Sequence, residues 1–349
     1  MLLAMLICVC QAQAAGMVIG VVAPKSGNFA TLGSQIINGA DQQIRADGNK
    51  MVLVDETCED NSGAAVAETL IKEKVAVAIG FLCSETLEGA LPRLKDAAIP
   101  AITVSVRSRI LMEDALKNNW PLLRLAPTDA DEAKKIIEII MRDWASSPTA
   151  LVDDGTVHAR ELVDAIRNAL EARGLKPIVT DNFRPGQDQQ IGLVRRLKRA
   201  GASKVFVAGD RRDISIIVRD AKSEKLSLDF LSGDAMRAAD QPVPLADGFR
   251  AVVLPDGDAV ATAKDFVSAL RAQGLEPEGY TLAAASAATL ASQAAAKGGM
   301  SLLTSMIGAS FHTPLGEIRF AANHELSDNP YQLMEWQDGA FKPVQEPTQ

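Results

Sequence analysis

The residues best placed to do chemistry lie in Gly80-Phe81-Leu82-Cys83-Ser84-Glu85-Thr86, where the apolar run Val75-Ala-Val-Ala-Ile79 gives way to a helical pattern. A strand that ends as a helix begins presents unpaired N–H groups and the positive end of the helix dipole, a place suited to a carboxylate. The Ser84 hydroxyl has two readings: it adds a donor for such a group, or it caps the helix. Pro24-Lys25-Ser26-Gly27-Asn28 and Thr103-Val104-Ser105-Val106-Arg107 end neighbouring apolar runs and are expected at the same edge. In doubly wound sheets the loops at the carboxyl ends of the strands are where ligands bind.

Signatures of catalysis are missing. There is no G-x-S-x-G elbow, no G-x-x-x-x-G-K-[ST] phosphate loop, no G-x-G-x-x-G fingerprint and no H-E-x-x-H, so the chain reads as a binder rather than an enzyme, and no cofactor is expected. A net charge of -8 argues against a general nucleic-acid binder, because phosphate neutralisation needs clustered Lys and Arg. The pairs Arg195-Arg196 and Arg211-Arg212 are expected on solvated helix faces. His158, His312 and His324 are scattered and form no metal-ligand spacing with the cysteines.

The first fifteen residues are an apolar run followed by small residues around Ala12-Gln13-Ala14, the pattern of a signal peptide cleaved near Ala14. Its positively charged n-region is absent, which suggests a start further upstream; lipidation at Cys8 or Cys10 is the weaker alternative. After cleavage Cys58 and Cys83 remain, and an exported chain in an oxidising compartment is expected to pair them.

These residues need elements to position them. The chain has 349 residues, 47% apolar and 23% charged, enough for two domains with packed cores. Strands are predicted over 18–23, 51–55, 75–80 and 99–104, alternating with helices over 30–46, 62–72 and 85–97. The plan repeats after Asn118-Asn119-Trp120-Pro121, with strands over 149–152, 177–181, 204–208 and 228–231 and helices over 158–173, 188–199 and 213–223. Helices over 259–272 and 281–296 and strands near 316–320 and 332–336 follow. The Ala-rich helix at 281–296 reads as a closely packed core helix rather than a docking face. Gln337-Asp338-Gly339 signals a hairpin turn. The fold class is therefore α/β, two doubly wound parallel-sheet lobes.

Three stretches make the chain similar to a known family: Ile19-Gly-Val-Val-Ala-Pro-Lys-Ser-Gly27, Asp55-Glu-Thr-Cys58-Glu-Asp60, and Val77-Ala-Ile-Gly80 running into Cys83-Ser84. Together they resemble the leucine/isoleucine/valine-binding proteins, type I periplasmic solute-binding proteins of ABC importers, over nearly the whole mature chain. The resemblance implies a disulfide between Cys58 and Cys83, a ligand carboxylate on Ser84, a backbone contact at Ser105, and an acid, Asp234, for the ligand ammonium. A turn Asp is the other reading of Asp234, and the family pattern has Glu there. Where the family places a carboxylate-binding threonine this chain has Arg107, either an added clamp or a rim residue facing solvent. The aromatic positions of the side-chain pocket fall on Leu32, His158 and Asp210, and His158 either meets the ligand or sits on the surface. Buried polar groups without partners are costly, so a ligand more polar than leucine is expected.

The resemblance further implies a three-segment hinge, with lobe 1 at 17–122 and 256–325 and lobe 2 at 123–255 and 326–349. It implies a periplasmic monomer that captures a small amino-acid-like ligand and hands it to an ABC permease in the inner membrane. A sensor of the same fold acting on a receptor or kinase is the alternative.

Overall fold

The computed structural model describes residues 16–238 and 243–344; the leader expected at residues 1–15 lies outside them. Among the described residues no helix is long and apolar enough to cross a membrane.

The chain alternates from its first described residues: β1 (Val18–Ala23), α1 (Ala30–Ala46), β2 (Lys50–Asp55), α2 (Ser62–Lys72), β3 (Val77–Gly80), α3 (Ser84–Asp96), β4 (Ala101–Thr103), α4 (Arg109–Lys117) and β5 (Leu122–Arg124). These strands form one parallel sheet in the order β2-β1-β3-β4-β5. β1, β3 and β4 are buried almost throughout, as strands covered by helices on both faces must be. The run at 75–80 becomes a strand only from Val77, because the Val75 N–H donates to the Leu70 carbonyl to close α2.

A second series follows: α5 (Asp129–Asp143), β6 (Thr149–Asp153), α6 (Val157–Ala172), β7 (Val179–Asn182), α7 (Ile191–Ala200), β8 (Lys204–Ala208), α8 (Arg211–Ser223), β9 (Asp229–Ser232), β10 (Arg250–Val253) and α9 (Lys264–Arg271). The chain then forms α10 (Thr281–Lys297), α11 (Leu302–Met306), the hairpin β11 (Ser310–Thr313) and β12 (Gly316–Arg319), and finally β13 (Gln332–Gln337) and β14 (Ala340–Pro343). The second sheet runs β14-β13-β10-β9-β8-β6-β7, parallel except for β13 and β14. Asp338 (φ 52°) and Gly339 (φ 82°) make the predicted hairpin turn between those two strands.

The chain divides into two compact units. The first runs to Ala126 and resumes at Ser268–Glu325; the second comprises Pro127–Val267 and Leu326–Gln349. The expected crossings at 122/123 and 255/256 fall too early. Leu122–Arg124 pairs with β4 inside the first sheet, and Ala259 still packs against the second unit's core.

Within the first unit α10 is a core helix, as its alanines suggest: eleven of its residues are buried, and it crosses α1 so closely that a Cβ on Gly39 would lie 2.0 Å from the Thr281 carbonyl oxygen. In the second unit the core lies on both faces of the sheet, one side built on Trp144 and Ile166, the other on Ile217, Trp336 and Phe341. Arg211 overturns the solvated-face expectation. It is 3% exposed, donates to the Met236 carbonyl and lies with its guanidinium carbon 4.4 Å from the Trp336 ring centroid. Arg195 and Arg196 do lie on the surface, paired with Glu224 and Asp181.

Candidate ligand site

In the first sheet β1 is followed on one side by β2 and on the other by β3, so the chain reverses its direction of travel across the sheet at the β1/β3 boundary. Loops leaving the two strands there part to opposite faces, and a crevice opens at their carboxyl ends. The loop after β1 is pinned by the Lys25 N–H donating to Asp55 Oδ1 at 2.9 Å. It also lies so close to α1 that a Cβ on Gly33 would sit 1.8 Å from the Pro24 carbonyl oxygen.

The loop after β3 turns sharply through Gly80 (φ 107°) and Phe81 (φ 59°). A left-handed phenylalanine is strained by about 1–3 kcal/mol and persists only where its surroundings over-determine it. Four restraints do so. The Phe81 ring is buried and its N–H donates to the Val22 carbonyl at 2.9 Å. Ser105 Oγ lies 2.9 and 3.1 Å from the Phe81 and Leu82 carbonyl oxygens, as a donor. Glu56 accepts the Leu82 and Cys83 N–H groups at 2.7 and 3.0 Å. Cys83 is bonded to Cys58, with 5.4 Å between their Cα atoms.

That geometry delivers Ser84 as the first residue of α3, half-buried, with Cys83 in the cap position. The capping alternative is not realised: Ser84 Oγ has no hydrogen-bond partner among the described residues and stands beside the helix's unpaired N–H groups. Glu56 is 1% exposed, and among the described residues no Lys, Arg or His forms an ion pair with it. Burial pushes its carboxyl up to about 7; the two backbone N–H groups and the Thr86 hydroxyl oppose that rise, and the like charge of Glu85 adds to it. One Glu56 oxygen and the two sulfurs lie within 4.8 Å of one another, but bonded sulfurs offer no thiolate to a metal.

Ser105 and Ser84 are therefore tied to the same turn, though the Ser105 hydroxyl is engaged in holding it. The Arg107 loop is fixed through its backbone, since Arg124 Nη1 donates to the Arg107 and Ser108 carbonyls at 2.7 and 3.0 Å and its Nη2 pairs with Glu325. The Arg107 side chain is half-buried, as is Leu32 on α1.

In the second sheet the corresponding reversal lies at the β6/β8 boundary. Asp154, after β6, accepts the Thr156 N–H and hydroxyl, and the Thr156 hydroxyl accepts the Ala159 N–H to start α6. His158 is the second residue of that helix, exposed. Asp210, after β8, caps α8 by accepting the Arg212 N–H at 2.8 Å, which explains its position without a ligand. Asp213 lies beyond it, its carboxyl raised by burial despite the Gly186 N–H.

Asp234 follows β9 and begins a short 3-10 turn. Its Oδ1 accepts the Leu254 N–H at 2.9 Å, its Oδ2 lies 3.8 Å from Arg237, and its own N–H donates to the buried Glu132 at 2.8 Å. The structure thus brings Ser84 and Ser105 together at one edge, and His158, Asp210 and Asp234 to the carboxyl-end edge of the other sheet. Sequence reasoning missed Glu56, Glu132 and Arg124. Glu56 sits inside the Asp55–Asp60 stretch already singled out, where the cysteine drew the attention; nothing in the spacing marks the other two.

The sequence matches the profile of the periplasmic binding protein family over residues 17–340. It is 28% identical to an amino acid binding protein of Pseudomonas aeruginosa, covering 93% of this chain and 91% of that protein. It is 22% identical to a Leu/Ile/Val-binding protein homolog of Brucella melitensis, over 93% and 92% of the two chains. Among solved structures it superimposes on a branched-chain amino acid transporter substrate binding protein of Streptococcus pneumoniae in complex with isoleucine, with a TM-score of 0.63, 20% identity and coverage of 94% and 99%. A solute binding protein of an ABC transporter from Rhodopseudomonas palustris, in complex with p-hydroxybenzoic acid, superimposes with a TM-score of 0.66, 19% identity and coverage of 94% and 96%. At those identities the structures show the fold, two parallel-sheet lobes of the type I kind, and the profile match decides membership: the chain belongs to the periplasmic binding protein family.

Proposed function

We propose that the chain is the periplasmic solute-capturing component of an ABC importer, a binder and not an enzyme, and that its solute is a small amino-acid-like zwitterion. The observation that carries this reading is Ser84, a hydroxyl without a partner among the described residues, placed at the start of α3 by a strained and four-fold restrained turn. Such a position gives a carboxylate a hydroxyl donor, backbone N–H donors and the helix dipole at once. At its own strand ends the second unit supplies acids suited to an ammonium group, Asp234 foremost, with Glu132 behind it. Likeness to proteins named for binding amino acids supports the same class. With His158 exposed where the family has an aromatic wall, the reading favours a side chain more polar than leucine.

A thermal-shift screen of the mature protein tests the reading, using amino acids, amides, small dicarboxylates and p-hydroxybenzoic acid. Stabilisation by an α-amino acid that is lost in Ser84→Ala supports it. Stabilisation by the aromatic acid alone replaces the zwitterion with an aromatic carboxylate, and no response to any of them at millimolar concentration refutes solute capture of this class.

A further inference from the structure

Glu56 is a carboxylate to which solute capture assigns no task. It leaves β2 buried, holds the Leu82 and Cys83 N–H groups, and has no cationic partner among the described residues. The charged side chain that acts on it, Glu85 of the same helix start, has the same sign. Asp55 is occupied with Lys25 at the exposed edge, Glu59 and Asp60 lie exposed further along the chain, and from α2 it is Ser62, an uncharged residue, that reaches the Thr86 hydroxyl at 2.7 Å. An uncompensated negative charge is thus buried at the helix start where the fold is best suited to receive another. Two anions at one helix start draw on the same dipole and repel each other.

Loss of that charge would leave the turn in place. The buried Phe81 ring, the Ser105 hydroxyl on two carbonyls and the disulfide all hold it independently, and a protonated carboxyl still accepts through its carbonyl oxygen. Protonation therefore changes the local charge more than the local geometry.

We propose that Glu56 is a positioning residue of the carboxylate site that links capture to proton uptake: ionised, it orders the Leu82 and Cys83 amides but repels an incoming carboxylate, and a carboxylate arriving at Ser84 draws a proton onto it. The inference rests on the reading that the start of α3 takes the ligand carboxylate. In the free protein Glu56 titrates at about 7. A bound anion raises that value further, so affinity is greatest below it, falls as the pH climbs through it, and levels off above the titration of the complex. Like charges roughly 8 Å apart at an effective dielectric of about 20–40 alter affinity on the order of tenfold.

Isothermal titration with L-leucine, L-isoleucine, L-glutamine and L-glutamate at about pH 6 and about pH 8.5, in pairs of buffers differing in ionisation enthalpy, tests this. The tightest of the four is carried forward. The expected result is roughly tenfold weaker binding at the higher pH, buffer-dependent heats showing uptake of a fraction of a proton, and a Glu56→Gln protein that binds at high pH as tightly as the unmodified protein does at low pH. A ligand whose affinity falls in Ser84→Ala but is indifferent to pH and buffer overturns the proton linkage alone, as does a pH profile unchanged in Glu56→Gln. If none of the four binds, or Ser84→Ala has no effect, the carboxylate-site reading fails and takes the linkage with it. The buffer comparison needs no variant, so it decides the matter even if Glu56→Gln does not fold.

Discussion

Replacing Glu56 by Gln should change how the stability of the ligand-free protein depends on pH, and the size of the change follows from the site. The Glu56 carboxyl is shifted from 4.5 to about 7 in the folded protein, with burial as the leading cause. A group whose folded value is raised contributes stability that is present below 4.5 and is lost as the pH rises through about 7. A gap of that width corresponds to roughly 3 kcal/mol, at about 1.4 kcal/mol for each pH unit. Glutamine keeps the size and one acceptor oxygen but cannot ionise. Urea unfolding of both proteins at steps between about pH 4.5 and about pH 8 measures the difference directly, and other titrating groups such as Asp213 cancel in the comparison. The stability of the unmodified protein relative to Glu56→Gln should fall by roughly 3 kcal/mol across that range. A difference that stays constant with pH would show that Glu56 is ionised in the folded protein throughout, and the reasoning about its burial would be wrong.

Three further perturbations have outcomes set by the same structure. Replacing Cys58 and Cys83 together by Ser opens a loop with a sequence separation of 25, and unfolding free energy should drop by about 3 kcal/mol in non-reducing buffer, with no such loss when both proteins are compared under reductant. Gly33→Ala places a Cβ 1.8 Å from the Pro24 carbonyl oxygen, so the loop after β1 must move; a loss of about 1–3 kcal/mol by chemical denaturation, together with weaker ligand binding, is expected. Arg124→Met removes the ion-pair partner of Glu325 and the guanidinium donor to the Arg107 and Ser108 carbonyls, and should lower stability by about 3–5 kcal/mol, read as a fall in the urea midpoint.

Much of the fold was legible because parallel strands covered on both faces leave continuous apolar runs, as at Val18–Ala23 and Val77–Gly80, and because glycine stops such as Gly201 (φ 78°) mark where helices end. The elements that escaped were short or carried no such mark. Leu122–Arg124 is a three-residue strand defined by pairing with β4, and β14 exists only as the partner of β13. The position of Ser84 at a helix start was legible because a strand end meeting a helix start is a local pattern. Glu56 was not, because its importance comes from folding back on amides 26 and 27 residues further along the chain. Asp210 has a local role that the sequence reading did not anticipate. The resemblance places it at a side-chain-pocket position, and its carboxylate accepts the N–H of Arg212 in the helix that it caps. Arg211 looked like half of a solvated basic pair, and only tertiary packing could place it over Trp336.

The central claim is the proposal that the start of α3, through Ser84, takes the carboxylate of the solute. A crystal structure of the mature protein with the amino acid that stabilises it most tests this directly. The account predicts a ligand carboxylate oxygen within hydrogen-bond reach of Ser84 Oγ, at about 2.5–3.0 Å. A bound ligand that does not touch Ser84, with Ser84 Oγ still unpaired, would contradict it.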